Sequence, residues 1–126
     1  MKKVIEASQA PAPIGPYSQA TLANGTLYVS GQIPIDQSTG ELISGSIEDE
    51  TEQVMKNLGY ILEEARSSFD QVVKCSIFIK DMGDFGKINA VYGTRFPSNP
   101  PARETVQVSE LPKGVNVEIS CIALVD

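Results

Sequence analysis

Two stretches of the chain alternate between apolar and polar residues, which is the pattern of a β-strand that buries one face. They span residues 71–80 and 115–125, and both are rich in β-branched side chains. Each predicts a strand, and the first predicts a central one. The residues predicted to face the core are Val73, Cys75, Ile77 and Ile79 in the first stretch and Val117, Ile119, Cys121, Ala123 and Val125 in the second.

An Asn24-Gly25 dipeptide separates two shorter strand-like segments, residues 19–23 and 26–33. Asn-Gly supplies both positive-φ positions of a tight hairpin turn, so the two segments are predicted to pair antiparallel. Gly31 interrupts the second segment and predicts a bulge or a close approach of another group to the backbone. Pro34 is predicted to limit that strand.

Two further segments carry apolar residues at the helical period. Ser46 stands three residues before Asp49, the spacing of a capping box, and predicts a long helix over residues 47–66. Asp84 is predicted to cap a second helix that ends by Pro97. The apolar positions are Val54, Leu58, Ile61, Leu62 and Ala65 in the first helix and Phe85, Ile88, Val91, Tyr92 and Phe96 in the second.

With additional strands predicted at residues 3–6 and 103–108, the elements follow the order β-β-β-α-β-α-β-β. This order predicts one α+β domain over residues 1–126, with two helices on one face of a mixed sheet. The other face would expose apolar side chains beside polar ones, so a second subunit is expected to cover it. The apolar residues predicted on that face are Tyr28, Phe78, Ile122 and Leu124.

The composition is that of an ordinary globular domain, with 41% hydrophobic and 21% charged residues. No apolar run approaches the roughly 18 residues of a membrane span. Glu6 interrupts the N-terminal segment before the apolar region of a signal peptide could form, and a cytoplasmic protein is expected. Cys75 and Cys121 lie in apolar segments, which favours buried, reduced thiols over a disulfide.

Charge and residue types narrow the possible chemistry. A net charge of −6 without a basic cluster disfavours nucleic acid as the main partner. The chain has no histidine and its two cysteines lack metal-ligand spacing, so no metal site is expected. Catalysis would have to rely on Glu, Asp, Arg, Tyr, Ser, Thr or backbone groups.

Arg103 and Glu118 are the first candidates for a functional site. Arg103 follows a rigid Pro-Pro-Ala segment, where its planar guanidinium could bind a ligand carboxylate through two hydrogen bonds, or simply pair with Glu104 or another nearby carboxylate of the chain. Glu118 emerges on the polar face of its strand. Its carboxylate is either partly buried, where it could hold or deprotonate a water, or a solubilising charge at an edge.

Three polar residues, Tyr17 in a loop, Ser30 in a strand and Asn89 on the second helix, form a second group of candidates. Each could hydrogen-bond a small ligand in a cleft. Tyr17 and Ser30 could equally satisfy nearby backbone groups, and Asn89 could merely flank the apolar stripe of its helix.

Four blocks of sequence together resemble the Rid (YjgF/YER/UK) family. The first three are residues 14–20 (IGPYSQA), 29–34 (VSGQIP) and 89–92 (NAVY). The fourth combines residues 100–106 (PPARETV), 111–114 (LPKG) and the Val-Glu pair that ends at Glu118. The resemblance extends over the whole chain.

This resemblance implies a chorismate-mutase-like subunit in a homotrimer with a central β-barrel and clefts between neighbouring subunits. It also implies hydrolytic deamination of 2-aminoacrylate, 2-iminopropanoate and 2-iminobutanoate to 2-keto acids and ammonium, with no metal or cofactor. Pyridoxal-phosphate-dependent dehydratases release such compounds, so a functional link to those enzymes is implied as well.

The resemblance further assigns roles to single residues. Arg103 would bind the substrate carboxylate, and Glu118 would position or activate the attacking water. The residues implied to line the cleft are Tyr17, Ser30, Gly31, Asn89 and Thr105.

Two positions depart from the common family pattern, and a third differs from some relatives. Glu104 stands where many relatives have a small hydroxyl residue, and Arg95 precedes Phe96 where two aromatic residues are frequent. Both changes are expected to alter charge or shape near the cleft. Thr105 occupies a position that is cysteine in some relatives, which removes any thiol chemistry there.

Two other functions stay open from the sequence. Some relatives are described as endoribonucleases or translation inhibitors, although the net charge and the missing histidine disfavour action on RNA. A non-catalytic module could instead bind a small carboxylate through Arg103 and report it to a partner enzyme. Hydrolysis that depends on Glu118 would separate an enzyme from such a binder.

Overall fold

A computed structural model describes all 126 residues and contains a six-stranded mixed sheet with two α-helices. The sheet strands are β1 (Lys3–Ile5), β2 (Ala20–Ala23), β3 (Thr26–Gln32), β6 (Val72–Ile79), β7 (Ala102–Gln107) and β8 (Val117–Leu124). Their spatial order is β1-β2-β3-β8-β6-β7, and only β6 and β7 pair parallel. The helices are α1 (Ile47–Glu64) and α2 (Phe85–Tyr92). The predicted α+β class and mixed sheet are therefore confirmed, and the order of the sheet strands and helices along the chain is as predicted.

A small separate hairpin lies between β3 and α1 and was not predicted. It consists of β4 (Ile35–Asp36) and β5 (Glu41–Leu42), which are only two residues each. Asn57 of α1 is fully buried and donates from Nδ2 to the carbonyl oxygens of Ile33 and Ile35, at 3.1 and 3.0 Å. These bonds attach the start of the hairpin to the helix.

The hairpin turn at Asn24-Gly25 is confirmed. Asn24 has φ 51° and Gly25 has φ 75°, so both central residues occupy the left-handed region that a primed turn requires. Ala23 and Thr26 pair directly across the turn.

The bulge predicted at Gly31 is also confirmed. Val29 pairs with Cys121, but Ile119 pairs with Gln32, so β3 contains one extra residue between these pairs. The extra residue reverses the alternation, and Gln32 points into the core with 5% of its surface exposed.

The prediction that Val73 faces the core is wrong, and the reason is a second irregularity in strand pairing, between β6 and β8. In β6, Cys75, Ile77 and Ile79 are buried as predicted, but Val73 is 44% exposed. The pairing with β8 shifts between Val72 and Lys74, so Val72 takes the inward position.

The helices differ from their predictions mainly at their ends. Ser46 caps α1 as predicted, because its hydroxyl oxygen accepts a hydrogen bond from the Asp49 N–H at 3.0 Å, although α1 ends at Glu64. The predicted cap by Asp84 is wrong. Instead, Asp81 accepts a bond from the Gly83 N–H at 2.8 Å and starts a 3₁₀ turn that leads into α2.

The core lies between the helices and one face of the sheet and contains 23 buried residues. Both cysteines are buried there as free thiols, as predicted. On the opposite face, Tyr28 and Leu124 are 50% and 44% exposed, and Phe78 and Ile122 are half-buried. Neither helix is long and apolar enough to cross a membrane.

Candidate active site

Glu118 lies at the bulge of β3, where its carboxylate is half-buried. A Cβ atom on Gly31 would come within 2.7 Å of the Glu118 Cδ, so the glutamate fits there only because residue 31 has no side chain. Burial raises the pKa of the Glu118 carboxyl, and no cation of the chain opposes that shift. The structure thus favours the buried interpretation of Glu118 over the exposed edge charge.

Glu118 forms one wall of a cleft of about 340 Å³. Three of its other walls are apolar and come from Ile14, Ile33 and Pro112. Tyr17, Ser30 and Gly31 also line it, so the structure brings together four of the site residues implied by the family resemblance. We call this space the Glu118 cleft.

The loop that carries Tyr17 into the cleft is held by hydrogen bonds to its neighbours. The Tyr17 hydroxyl oxygen accepts a bond from the Ile14 N–H at 3.3 Å. The Ser30 hydroxyl donates to the carbonyl oxygen of Ser18 at 2.6 Å, and the Ser30 N–H donates to that of Gln19 at 2.9 Å. Ser30 therefore holds the loop in place. Of the two roles that the sequence left open for it, this is hydrogen bonding to nearby backbone groups.

Gln19 is a supporting residue that the sequence did not indicate. It is 4% exposed, and its Oε1 accepts a bond from the Ala7 N–H at 2.6 Å. Its Nε2 lies within 3.3 Å of three carbonyl oxygens, those of Ala7, Ala10 and Pro11. The only available signal was indirect, because an irregular proline-rich loop needs partners for its backbone groups.

Arg103 is held by α2. It pairs in register with the buried Cys75, so its side chain lies on the helix side of the sheet. Its Nη1 donates to Asn89 Oδ1 at 2.8 Å, and its Cζ lies 5.0 Å from the Tyr92 ring centroid and 5.6 Å from that of Phe85. Two aromatic faces and one amide thus orient the guanidinium, and the remaining N–H groups can bind a carboxylate.

The predicted alternative pairing of Arg103 with Glu104 is wrong. Successive strand residues point to opposite faces, so Glu104 lies on the outer face. There it pairs with Lys74 at 2.9 Å and accepts a hydrogen bond from Ser76. These contacts, that of Ser76 first, lower the pKa of the Glu104 carboxyl.

Two buried hydroxyl groups lie near Arg103: that of Thr105 has no hydrogen-bond partner, and that of Tyr92 has only the weakly polar Cys75 thiol beside it. Thr105 lies two residues along β7 on the same face as Arg103. Burial raises the pKa of the Tyr92 phenol strongly, so this group stays neutral. An unsatisfied buried hydroxyl costs about 1–3 kcal/mol, so the Thr105 hydroxyl is a group that a ligand could satisfy.

A single chain does not bring all the expected site residues together. Arg103, Asn89 and Thr105 lie on the helix side of β7, whereas Glu118 lies on the outer face of β8. The sheet separates the two groups. Arg103 and Glu118 would meet only if they came from different subunits.

Arg95, which was expected to alter charge or shape near the cleft, instead makes its contacts with α1. Its two terminal nitrogens bind the Glu52 carboxylate of α1 at 2.6 and 2.9 Å. This fork lowers the pKa of Glu52 and raises that of Arg95. No group of three or more potential metal ligands occurs in the chain.

Comparisons with known proteins agree with this architecture. The family model described as Endoribonuclease L-PSP matches residues 7–125. The chain is 51% identical over 123 residues to a RutC family protein of Pyrococcus horikoshii, covering 98% of each. It is 49% identical over 124 residues to the rat protein named 2-iminobutanoate/2-iminopropanoate deaminase, covering 98% of this chain and 90% of the rat protein.

A solved structure shows the same fold at full length. A conserved Rid family protein from Yersinia pestis superposes with a TM-score of 0.97 at 48% identity, covering 99% of this chain and 100% of the other. These matches confirm the resemblance seen in the sequence blocks around Tyr17, Gly31 and Arg103. The chain belongs to the Endoribonuclease L-PSP (YjgF/Rid) family.

Proposed function

We propose that this protein hydrolyses 2-imino acids and their enamine tautomers to 2-keto acids and ammonium, in clefts between the subunits of a homotrimer. The observation that carries the proposal is the environment of Glu118. Its carboxyl is half-buried beside Gly31 in a small, mostly apolar cleft, and burial raises its pKa. A carboxyl of raised pKa is suited both to accept and to return a proton near neutral pH.

Arg103 supplies the recognition of the substrate carboxylate. Asn89 and the rings of Tyr92 and Phe85 hold the guanidinium in place before a ligand arrives. A pre-oriented fork binds a planar carboxylate with two parallel hydrogen bonds and limits its orientation. The imine carbon of the same ligand is then held at a fixed distance from the guanidinium.

The proposed reaction needs one nucleophilic water, and Glu118 carries each proton that is transferred. Glu118 takes a proton from the water as the water oxygen bonds to the carbon of the protonated imine, and the C=N electron pair moves to nitrogen, which becomes a neutral amino group. The protonated Glu118 then returns its proton to the amino group of this carbinolamine. The C–N bond breaks and ammonia leaves, the hydroxyl oxygen forms the carbonyl of the 2-keto acid, and the hydroxyl proton passes to the Glu118 carboxylate and from there to ammonia.

The protein's own groups are sufficient for this sequence. An imine carbon is already electrophilic, so orientation against a held water and proton transfer by Glu118 provide the main acceleration. No step requires a metal or an organic cofactor. The apolar walls of the Glu118 cleft lower the polarity around the carboxyl, which helps to keep its pKa raised.

Two observations support a site shared between subunits. Within one chain, Arg103 and Glu118 lie on opposite faces of the sheet. The outer face also exposes large apolar side chains, with Tyr28, Leu124 and Val106 at 50%, 44% and 40%. Packing three such faces around one axis would bury these residues and place one chain's Arg103 beside the next chain's Glu118.

The activity is tested by generating 2-aminoacrylate with a pyridoxal-phosphate-dependent serine dehydratase and following pyruvate. Wild-type protein should accelerate pyruvate release and reduce the amount of imine that a scavenger traps. Arg103→Lys keeps the charge but loses the fork, and should lower the acceleration at least tenfold. Equal rates with and without the wild-type protein would refute the proposal.

The shared site is tested by mixing two inactive variants. Arg103→Ala and Glu118→Gln chains are unfolded together in equal amounts and refolded, so that mixed oligomers form. If each site takes Arg103 from one subunit and Glu118 from its neighbour, about a quarter of the sites regain both residues, and about a quarter of wild-type activity should return. If both residues served a site within one chain, no activity would return.

One observation favours a second candidate, a carboxylate-binding module without catalysis. The Arg103 site is assembled completely by β7 and α2 and needs no contribution from Glu118. Glu118→Gln separates the two functions. If the variant still binds pyruvate but no longer hydrolyses the imine, Glu118 takes part in the chemistry. If the wild-type protein binds pyruvate and does not hydrolyse the imine, the protein is a binding module.

A further inference from the structure

A second cleft of about 380 Å³ is lined by residues of α1, of the hairpin formed by β4 and β5, and of the N-terminal segment at Ser8. It shares no residue with the Glu118 cleft and plays no part in the proposed hydrolysis. Its lining is almost entirely polar and includes Ser8, Asp36, Ser38, Gln53, Lys56 and Tyr60. We call it the hairpin cleft.

The hairpin cleft has a cation that the chain leaves without a close anionic partner. Lys56 is exposed on α1 and forms no ion pair within 4.0 Å of any carboxylate. Lys56 acts without contact on Asp36 and on Glu52, which lies one turn away on α1, and contributes to the lowered pKa of both carboxyls. A ligand carboxylate could therefore bind Lys56 without breaking an existing ion pair.

Besides Lys56, which can bind an anion, the hairpin cleft contains two groups that can bind a cation, the Asp36 carboxylate and the Gln53 side-chain carbonyl. Asp36 uses its Oδ1 to accept bonds from the N–H and the hydroxyl of Ser38, at 3.0 and 2.6 Å, and its Oδ2 has no partner in the chain. Gln53 is 9% exposed, and its Nε2 donates to Asn57 Oδ1 at 2.9 Å. That bond fixes the amide and leaves its carbonyl oxygen as an acceptor for a ligand N–H.

We infer that the hairpin cleft binds a small zwitterion, a free 2-amino acid. Its carboxylate binds Lys56, its ammonium group binds Asp36 and the Gln53 carbonyl oxygen, and its side chain lies against the Tyr60 ring. A simple anion would be repelled by the Asp36 carboxylate, and a simple amine would be repelled by the Lys56 ammonium group. A zwitterion instead places an opposite charge beside each of them. This site is independent of the hydrolase activity.

The test uses L-alanine as the probe and the Arg103→Ala protein as the starting point, so that the Glu118 cleft does not compete for the ligand carboxylate. Saturable changes in backbone amide NMR signals should appear at residues 36–38 and 53–60. Propanoate lacks the ammonium group of alanine and ethylamine lacks its carboxylate. Both should bind at least tenfold more weakly.

Variants complete the test. Lys56→Met should weaken alanine binding about tenfold or more, and Asp36→Asn should do the same while an amide oxygen still accepts the Ser38 bonds. Lys87→Met removes an exposed lysine of α2 and should change nothing. The inference is overturned if alanine produces no saturable change, if propanoate or ethylamine binds as tightly, or if Lys56→Met binds like its parent.

Discussion

Gly31 and Glu118 are fitted to one another, since a Cβ on residue 31 would lie 2.7 Å from the Glu118 Cδ and 2.9 Å from its Cγ. These distances are shorter than van der Waals contact, so any side chain at position 31 must displace the glutamate. The bulge in β3 creates this approach by placing the Gly31 backbone beside β8.

Gly31→Ala should therefore reduce imine hydrolysis at least tenfold, because Glu118 no longer occupies its position in the cleft. Because the Glu118 side chain is flexible and can rotate away from the new Cβ, the free energy of unfolding, measured by urea denaturation, should fall by no more than about 1 kcal/mol. Gly93→Ala is the matched control, because a Cβ there meets no atom within 4 Å and its φ of −62° suits any residue. Equal activity of the two variants would contradict the role given to this contact.

Asn89→Ala should weaken the binding of pyruvate, the 2-keto acid product. Its Oδ1 accepts a bond from Arg103 Nη1 at 2.8 Å, and without it the guanidinium has more freedom. Losing one such bond corresponds to about 0.5–1.5 kcal/mol, or roughly a 2- to 12-fold rise in Kd by calorimetry. Lys87→Ala, an exposed change on the same helix, should leave Kd unaltered. If Asn89→Ala binds pyruvate like wild type, the amide has no positioning role.

The pH dependence of hydrolysis should report the state of Glu118. Burial raises its pKa above 4.5, so the carboxyl is protonated below that raised value and cannot accept a proton from water. The initial rate should therefore fall as the pH drops through a value higher than that of an ordinary glutamate. Glu118→Gln should be slow at every pH and lose this acid limb. An unchanged limb in that variant would assign it to another group.

The fold could be predicted from sequence wherever a local rule decided the structure. Asn24 and Gly25 set the hairpin turn through their own φ preferences, and Ser46 capped α1 through a spacing of three residues. Val73 was misassigned because its direction depends on a pairing shift with another strand. No property of residues 71–80 alone encodes that shift.

The site shows the same division between local and long-range information. The sequence blocks named Arg103 and Glu118, but it is the pairing of Arg103 with the buried Cys75 that places it on the helix side. Gln19 and Asn57 hold the surrounding backbone by donating hydrogen bonds to carbonyl groups that are distant in the chain. Neither residue lies in a sequence motif from which these partners could be predicted. The identity of the main site residues could therefore be predicted from the sequence, but their positions relative to one another could not.

The ion pair between Glu52 and Arg95 should stabilise the fold in a pH-dependent way. It connects α1 to the 3₁₀ turn after α2, and the Arg95 fork lowers the pKa of Glu52 below 4.5. Because the folded pKa is depressed, the contribution is complete above pH 4.5 and is lost as the pH falls through the lower folded value.

Glu52→Gln should thus lower the free energy of unfolding by about 0.5–1 kcal/mol at neutral pH, since solvent screens a pair whose glutamate is 41% exposed. In urea denaturation the difference from wild type should shrink towards zero as the pH is lowered, and added salt should reduce it. Glu63→Gln, which removes a carboxylate of α1 that forms no ion pair, should show a smaller effect at neutral pH. A Glu52→Gln deficit that persists undiminished in acid would mean that packing, and not the charge of Glu52, accounts for its contribution.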